Sequence, residues 1–205
     1  MEKKITKATL GRIPLYLAYV KSLPETNTIL SSTSMSRALG LGEVQVRKDL
    51  GQVSKSGKPK VGYKIEELVD AFEEILGVKE KTKAVVVGAG KLGRALIDND
   101  GFESFGVEII AGFDAAVTSP KSVGKIKIYP VNELKKMIED NSVTIGIITV
   151  PKTEAKHVAN ELVSAGVKGI WNFAQINLDL PDGVELQQEN LALSLAHLRI
   201  KIRNK

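Results

Sequence analysis

Apolar residues three and four positions apart mark helices in the first eighty residues, and short unbroken apolar runs mark strands beyond them. "RIPLYLAYVKSL" (12–23) sets Ile13, Leu17 and Val20 on one stripe, and Pro14 suits a first turn, where its missing N–H costs nothing. "SSTSMSRALG" (31–40) predicts a second short helix, with Ser34 as N-cap and Gly40 as its stop. "GEVQVRKDL" (42–50) predicts a third, with Val44 and Leu50 turned inward. "GQVSKSGKPKVGYK" (51–64) reads as a β-ribbon with its tip around Ser56, Gly57 and Lys58. Three helices, a tight Gly-containing turn and a ribbon make a winged helix-turn-helix. "IEELVDAFEEILG" (65–77) then predicts an amphipathic helix with Leu68, Phe72 and Ile75 on one face, ended by Gly77.

"VKEKTK" (78–83) is charged and almost without apolar residues, which puts a domain boundary near residue 80. Beyond it, strands are expected at 83–88, 107–114, 125–130, 143–151 and 168–174, with helices between them. That alternation predicts an α/β fold of the Rossmann type, a doubly wound parallel sheet over 81–188. "NLALSLAHLRIKI" (190–202) is apolar around much of its circumference, with Leu191, Leu195, Leu198 and Ile202 on one stripe and Leu193, Ala196 and Ile200 on another. Such a helix is buried on more than one side, so residues 189–205 are expected to insert against a second subunit.

Charge sharpens this division. Residues 1–64 hold 12 Lys/Arg against 4 Asp/Glu, a balance of +8, whereas 65–205 hold 17 against 20, a balance of −3. A basic N-terminal third on a mildly acidic remainder points to a nucleic-acid-binding module joined to something else. No apolar run approaches the roughly 18 to 20 residues that span a bilayer, and "MEKKITKATLGR" lacks the apolar core of a secretory signal. With no cysteine, disulfides and thiolate chemistry are excluded, and His157 and His197 are too few for a metal site. A cytoplasmic protein is the expectation.

The chemistry concentrates in "VVVGAGKLGRAL" (85–96), where Gly88, Gly90 and Gly93 fit G-x-G-x-x-G between a strand and a helix. Gly88 makes the turn, Gly90 admits the pyrophosphate, and Gly93 lets helix and strand pack closely, so Gly88, Ala89, Gly90, Lys91, Leu92 and Gly93 are the expected phosphate cradle. Asp114 ends the next strand, 21 residues past Gly93. Its carboxylate suits the two ribose hydroxyls of an adenosine and repels a 2′-phosphate, predicting NAD(H) over NADP(H). "TVP" (Thr149, Val150, Pro151) and "NFA" (Asn172, Phe173, Ala174) end later strands, where ligands bind in such sheets. Their mostly apolar character suits a reduced, uncharged nicotinamide better than the cationic ring.

A dehydrogenase must also move a proton. His157 reads as an exposed helix face, His197 as a packing residue, and no Tyr-x-x-x-Lys or Ser/His/Asp constellation is present. Too little chain follows the fifth strand for a substrate domain, so a non-enzymatic sensor is expected. On the nucleic-acid side, Arg47 and Lys48 lie on the third helix, the one inserted into a major groove. Arg pairs with guanine and Gln45 with adenine. Lys58 and Lys60 at the ribbon tip suit phosphates or a minor groove, and Arg12, Ser34 and Arg37 are phosphate-contact candidates.

Together "RIPLYL", "VQVRKDL", "KVGY", "EELVDAFEEILG", "VVVGAGKLGRAL", the "GF" at 101–102, "GIITVP" and "GIWNFA" resemble the redox-sensing transcriptional repressors of the Rex family, in order and over essentially the whole chain. The resemblance implies a homodimer on palindromic operator DNA of "TTGT…ACAA" type, with each C-terminal helix swapped into the other subunit. NADH is then expected to close the dimer and release the DNA. The chain departs from the family at "GQVSKSG", where an aromatic-rich stretch is usual, and at Gln175, where proline is usual. An Arg, Tyr and Asp set that couples the domains in the family aligns here with Ala18, Asn99 and Asn190. Coupling is expected to persist through other contacts, with altered strength or altered NADH/NAD⁺ selectivity. Two alternatives stand beside this reading: an NAD-dependent dehydrogenase, and a DNA-binding regulator that senses another nucleotide, such as a CoA-type ligand.

Overall fold

Helical stripes build the first of two units, residues 1–80, and strand runs the second, residues 81–205. The structure, a computed structural model, describes residues 5–54, 57–58 and 61–203. In the first unit, α1 (Lys7–Leu10) is capped by the Thr6 side chain, and α2 (Ile13–Lys21) carries Pro14 in its free first turn. α2 buries Ile13, Tyr16, Leu17 and Val20. β1 (Ile29–Leu30) leads into α3 (Ser32–Leu39), whose stop is Gly40 in the left-handed region at φ +65°. Its N-cap is Ser31, which accepts from Ser34 N at 3.0 Å, and not Ser34 as expected. In "SSTS" every residue can cap, and the end of β1 at Leu30 leaves Ser31 as the extended one.

α4 (Glu43–Val53) runs three residues further than its sequence pattern suggested. Its inner positions are Val46, Asp49 and Leu50, with Val53 half-buried beside them. That i, i+3, i+4, i+7 stripe turns Val44 out to 55% exposure, against expectation, because two residues back is more than half a turn away. The expected ribbon is correspondingly shorter. Lys58 bridges Gly62, and β2 (Tyr63–Lys64) pairs antiparallel with β1, so the strand partner lies before α3. Ser56 and Lys60 lie outside the described residues. α5 (Ile65–Leu76) then buries Leu68 and Phe72 against α2, with Ile75 half-buried, and ends on Gly77 at φ +64°.

The second unit opens with β3 (Thr82–Val87), α6 (Lys91–Ile97) and β4 (Val107–Asp114). β5 (Lys121–Val123), β6 (Ile126–Pro130) and α7 (Leu134–Asn141) follow. β7 (Ile145–Ile148), α8 (Lys152–Ser164) and β8 (Gly169–Asn172) complete the alternation. The last elements are β9 (Glu185–Gln188) and α9 (Leu191–Arg203). The sheet order is β5-β6-β4-β3-β7-β8-β9, parallel except for β5. Chain order therefore runs outward from β3 to one edge, returns, and runs outward to the other. The reversal between β3 and β7 opens a crevice at the strands' carboxyl ends, the ligand site of such sheets. β5 and β9 were not foreseen: the first is short, and the second is exposed at all four positions, so neither carries an apolar pattern. In the single chain α9 has no buried residue, and its leucines are 52–68% exposed. Among the described residues no helix is long and apolar enough to cross a membrane.

Candidate functional site

The crevice holds a cleft of about 690 Å³. Gly88, Gly90, Asp114, Thr149, Val150 and Pro151 line it, so the glycine loop, the end of β4 and the end of β7 converge. Gly88 sits at φ +100°, and a Cβ there would come within 2.9 Å of the Thr149 and Val150 backbone. A Cβ on Gly93 would run into the Gly88 carbonyl oxygen. Packing thus demands both glycines. Gly90 differs: it is exposed, at φ −71°, and a Cβ there would meet nothing within 4 Å. The protein's own packing gives no reason for a glycine at 90.

Asp114 is anchored and still available. Its Oδ2 accepts from Ala89 N at 2.8 Å and its Oδ1 from Ala116 N at 2.9 Å. Each oxygen keeps a lone pair for a further donor such as a ribose hydroxyl. Ala89 is buried and its N–H is committed to Asp114, so it orients the carboxylate and offers no donor of its own to the cleft. Thr149 donates its hydroxyl to Gly88 O at 2.6 Å and so braces the loop against β7. Lys91 and Leu92 are exposed at the start of α6, beside the cleft rather than among its lining residues.

The "NFA" residues lie at the end of β8, beside the end of β7, and are not among the residues that line this cleft. Asn172 is wholly buried, and its Nδ2 donates to Ala174 O, Ile176 O and Gln188 Oε1 at 2.8–3.2 Å. Its Oδ1 accepts from Ala174 N at 3.0 Å. A side chain so fully engaged braces the chain after β8. Ala174 is 6% exposed, and Phe173 packs on Trp171 with ring centroids 4.6 Å apart. The sequence reading also missed the α8 wall, where Glu154, His157, Val158 and Glu161 line the cleft with Val131. His157, read as an exposed face, is indeed exposed, yet it stands on the rim with Nε2 3.7 Å from Glu161 Oε1. The i, i+4 spacing was the available signal.

In the first unit, a second cleft of about 580 Å³ opens between the start of α3, α4 and the turn before β2. Ser31, Ser32, Thr33, Arg47, Lys58 and Tyr63 are among its lining residues. Hydroxyls, free N–H groups at a helix start and two cations make a site for a phosphate. Gln45, Arg47 and Lys48 are exposed on α4, and Ser34 and Arg37 on α3. Lys60 lies outside the described residues, so its expected place at the ribbon tip is not described.

Arg12 is not a free phosphate contact. Its Nε and Nη2 donate to Asp49 Oδ2 and Oδ1 at 2.7 and 2.9 Å. Tyr16 OH at 2.7 Å and Thr9 Oγ1 at 2.9 Å complete the shell around this carboxylate. Burial disfavours the Asp49 anion, but the hydrogen bonds from Arg12, Tyr16 and Thr9 outweigh it and hold the carboxyl below its usual range. Burial, then the bond to Asp49, pushes the Tyr16 phenol up to about 12. Of the positions expected to align with the family's coupling set, two make local hydrogen bonds. Ala18 is exposed. Asn99 Oδ1 accepts from Gly101 N at 2.8 Å. Asn190 Oδ1 accepts from Ala192 N and Leu193 N at 3.1 and 3.2 Å, capping α9.

Comparison with known proteins covers both units. Residues 4–51 match the family "Putative DNA-binding protein N-terminus", and residues 79–176 match "CoA binding domain". The redox-sensing transcriptional repressor Rex of Carboxydothermus hydrogenoformans is 39% identical over 98% of this chain and 97% of its own. That of Treponema denticola is 37% identical over 96% and 95%. Solved structures of RSP, a Rex-family repressor, superpose at 30% identity over 98% of this chain. The complex with β-NAD⁺ and operator DNA has a TM-score of 0.88 over 94% of its chain, and the complex with β-NADH 0.87 over 96%. This chain belongs to the Rex family of redox-sensing transcriptional repressors.

Proposed function

We propose that this chain is a cytoplasmic repressor that reads the NADH/NAD⁺ ratio. It holds palindromic operator DNA as a homodimer through the basic face of residues 1–80 and lets go when NADH enters the cleft of residues 81–188. The segment 189–205, which contains α9, is the dimerisation element exchanged between subunits, the cover that the exposed leucines of α9 need. The observation that carries the reading is the union in one chain of an anchored Asp114 over a glycine loop with a cationic helix face. The relatives' NAD⁺, NADH and operator complexes support it.

Within that reading, the backbone at Gly90, Lys91 and Leu92 receives the pyrophosphate, and Asp114 the adenosine ribose. Val131, Val150 and Val158 supply apolar walls. NADH acts as a ligand only, and no hydride is passed on. Its leverage is differential affinity: it releases DNA to the extent that it prefers the released state. Moving the population from 1:99 to 99:1 takes about 5.5 kcal/mol, shared between two sites in a dimer.

The match to "CoA binding domain" keeps a CoA-type regulator as the second reading. Asp114, already a carboxylate at the ribose position, disfavours a 3′-phosphate nearby. Fluorescence anisotropy on a labelled "TTGT…ACAA" palindrome at fixed salt, titrated with NADH, NAD⁺ and CoA, separates the readings. Release by NADH alone is the expected result. Release by CoA favours the second reading, and binding indifferent to all three removes the sensor.

A further inference from the structure

Gln45 and Asp49 are one helical turn apart on α4, and both meet the guanidinium of Arg12. Arg12 gives Nε and Nη2 to Asp49. With its amide oxygen turned inward, Gln45 accepts from Arg12 Nη1 at 3.0 Å and lies 3.0 Å from Nε, whose one proton is directed at Asp49. The opposite orientation would set the amide N–H₂ against guanidinium N–H groups, donor against donor, so the network decides the orientation. The consequence lies on the outer side of the amide. Its oxygen is spent on Arg12, and the exposed end of Gln45 presents only N–H donors.

We propose that Gln45 is a donor-only base reader that selects guanine over adenine, with Arg12 as the residue that positions its amide. The proposal rests on the DNA-binding reading above. Adenine's major-groove edge offers one acceptor, N7, beside one donor, the N6 amino group, and a glutamine reads it by matching both. A glutamine whose oxygen is held elsewhere leaves the N6 amino group facing another donor. Guanine instead offers two adjacent acceptors, N7 and O6, which one N–H₂ group can serve. Cytosine presents an N4 amino donor and is refused outright. The adenine contact expected from residue type alone therefore gives way to guanine, and the cause is a neighbour 33 positions away in sequence.

The test uses the full chain and a duplex library with randomised half-sites, followed by competition binding at the position Gln45 controls. Wild type is expected to prefer guanine to adenine there by about tenfold, within the range of a good base contact. Gln45→Ala, at an exposed position, is expected to flatten that one position and leave the others. Gln45→Glu, with no donor, is expected to turn the preference toward cytosine. Arg12→Lys keeps a charge beside Asp49 but lacks the planar fork, and is expected to lower the guanine-to-adenine ratio several-fold. Adding Arg12→Lys to Gln45→Ala should change that ratio no further, an outcome a general loss of fold cannot imitate. A wild-type preference for adenine at the position Gln45→Ala flattens overturns the proposal, as does a guanine preference that survives Gln45→Ala. An unchanged ratio in Arg12→Lys removes Arg12 from it. If wild type shows no sequence preference at all, the DNA-binding reading itself falls.

Discussion

Asp49 and Asp114 are the same residue under opposite arrangements of hydrogen bonds. Asp49 is 3% exposed and receives four donors from three side chains, one of them a guanidinium. Nothing remains for a ligand to satisfy. Asp114 lines an open cleft and receives two backbone N–H groups, one to each oxygen. It is fixed in place and still underbonded. A carboxylate saturated from within holds a fold together, whereas one oriented from within and open on one side is free to accept a further donor.

The largest effect should come from Asp49. Asp49→Asn leaves the Arg12 charge, only a quarter exposed, without its partner. The expected loss is about 3 kcal/mol, near the lower end for a broken buried pair, read in urea from the transition of residues 1–80. The pH profile follows with a definite sign. The depressed Asp49 carboxyl adds stability above about pH 4 that is lost as acid drives the pH down through its folded value. The Tyr16 phenol, raised to about 12, adds stability below about pH 10 that is lost as the pH climbs through its folded value. Asp49→Asn should lose most of the acid-side contribution. An identical acid limb in wild type and variant would show that Asp49 is not what holds the unit together.

Asp114→Ala should do the reverse. Unfolding is expected to shift by about 1 kcal/mol or less, since the two N–H groups it frees lie at an open cleft. NADH affinity should fall about tenfold to a hundredfold, the scale of hydrogen bonds to a charged group, and discrimination against NADPH should narrow. Calorimetric titration with both nucleotides decides it, and an unaltered NADH affinity would make Asp114 a second Asp49. The glycines sharpen the same contrast on a smaller scale. Gly93→Ala, which drives a methyl into the Gly88 carbonyl, should destabilise by about 1–3 kcal/mol. Gly90→Ala meets open space and should leave unfolding within about 0.5 kcal/mol while weakening NADH binding. If both variants lost only stability, the loop would be a packing device and no cradle.

What could be read from the sequence divides along similar lines. Local periodicity revealed the longer helices and the inner parallel strands, because α5 or β3 must present its apolar residues at the spacing its geometry imposes. The glycine loop was legible because the turn at Gly88 and the close packing at Gly93 constrain residue type at fixed intervals. The misses arise where the deciding partner is distant. Arg12 looked like a phosphate contact because Asp49, 37 residues on, is invisible to a local reading. Asn172 gave no sign of its bond to Gln188, because β9, exposed at every position, carries no pattern that a local reading detects. Val44 and Val46 were confused because a stripe completed by a buried aspartate does not look apolar.

Asn190 offers the smallest and most particular test. The resemblance to the family implies an aspartate of the coupling set at this position, and in this chain the Asn190 side chain caps α9 through Ala192 N and Leu193 N. Asn190→Ala should cost about 1 kcal/mol through the lost cap, seen as a small fall in thermal stability. Asn190→Asp introduces a carboxylate and keeps the cap, so it separates the two roles. If Asn190 serves only its helix, Asn190→Asp will match wild type in stability, and NADH will change DNA affinity by the same factor in all three proteins. If it also transmits, that factor will shift in both variants, and stability will follow the cap alone. An unchanged factor in Asn190→Ala would clear this position of any part in the relay, leaving coupling to contacts that do not pass through residue 190.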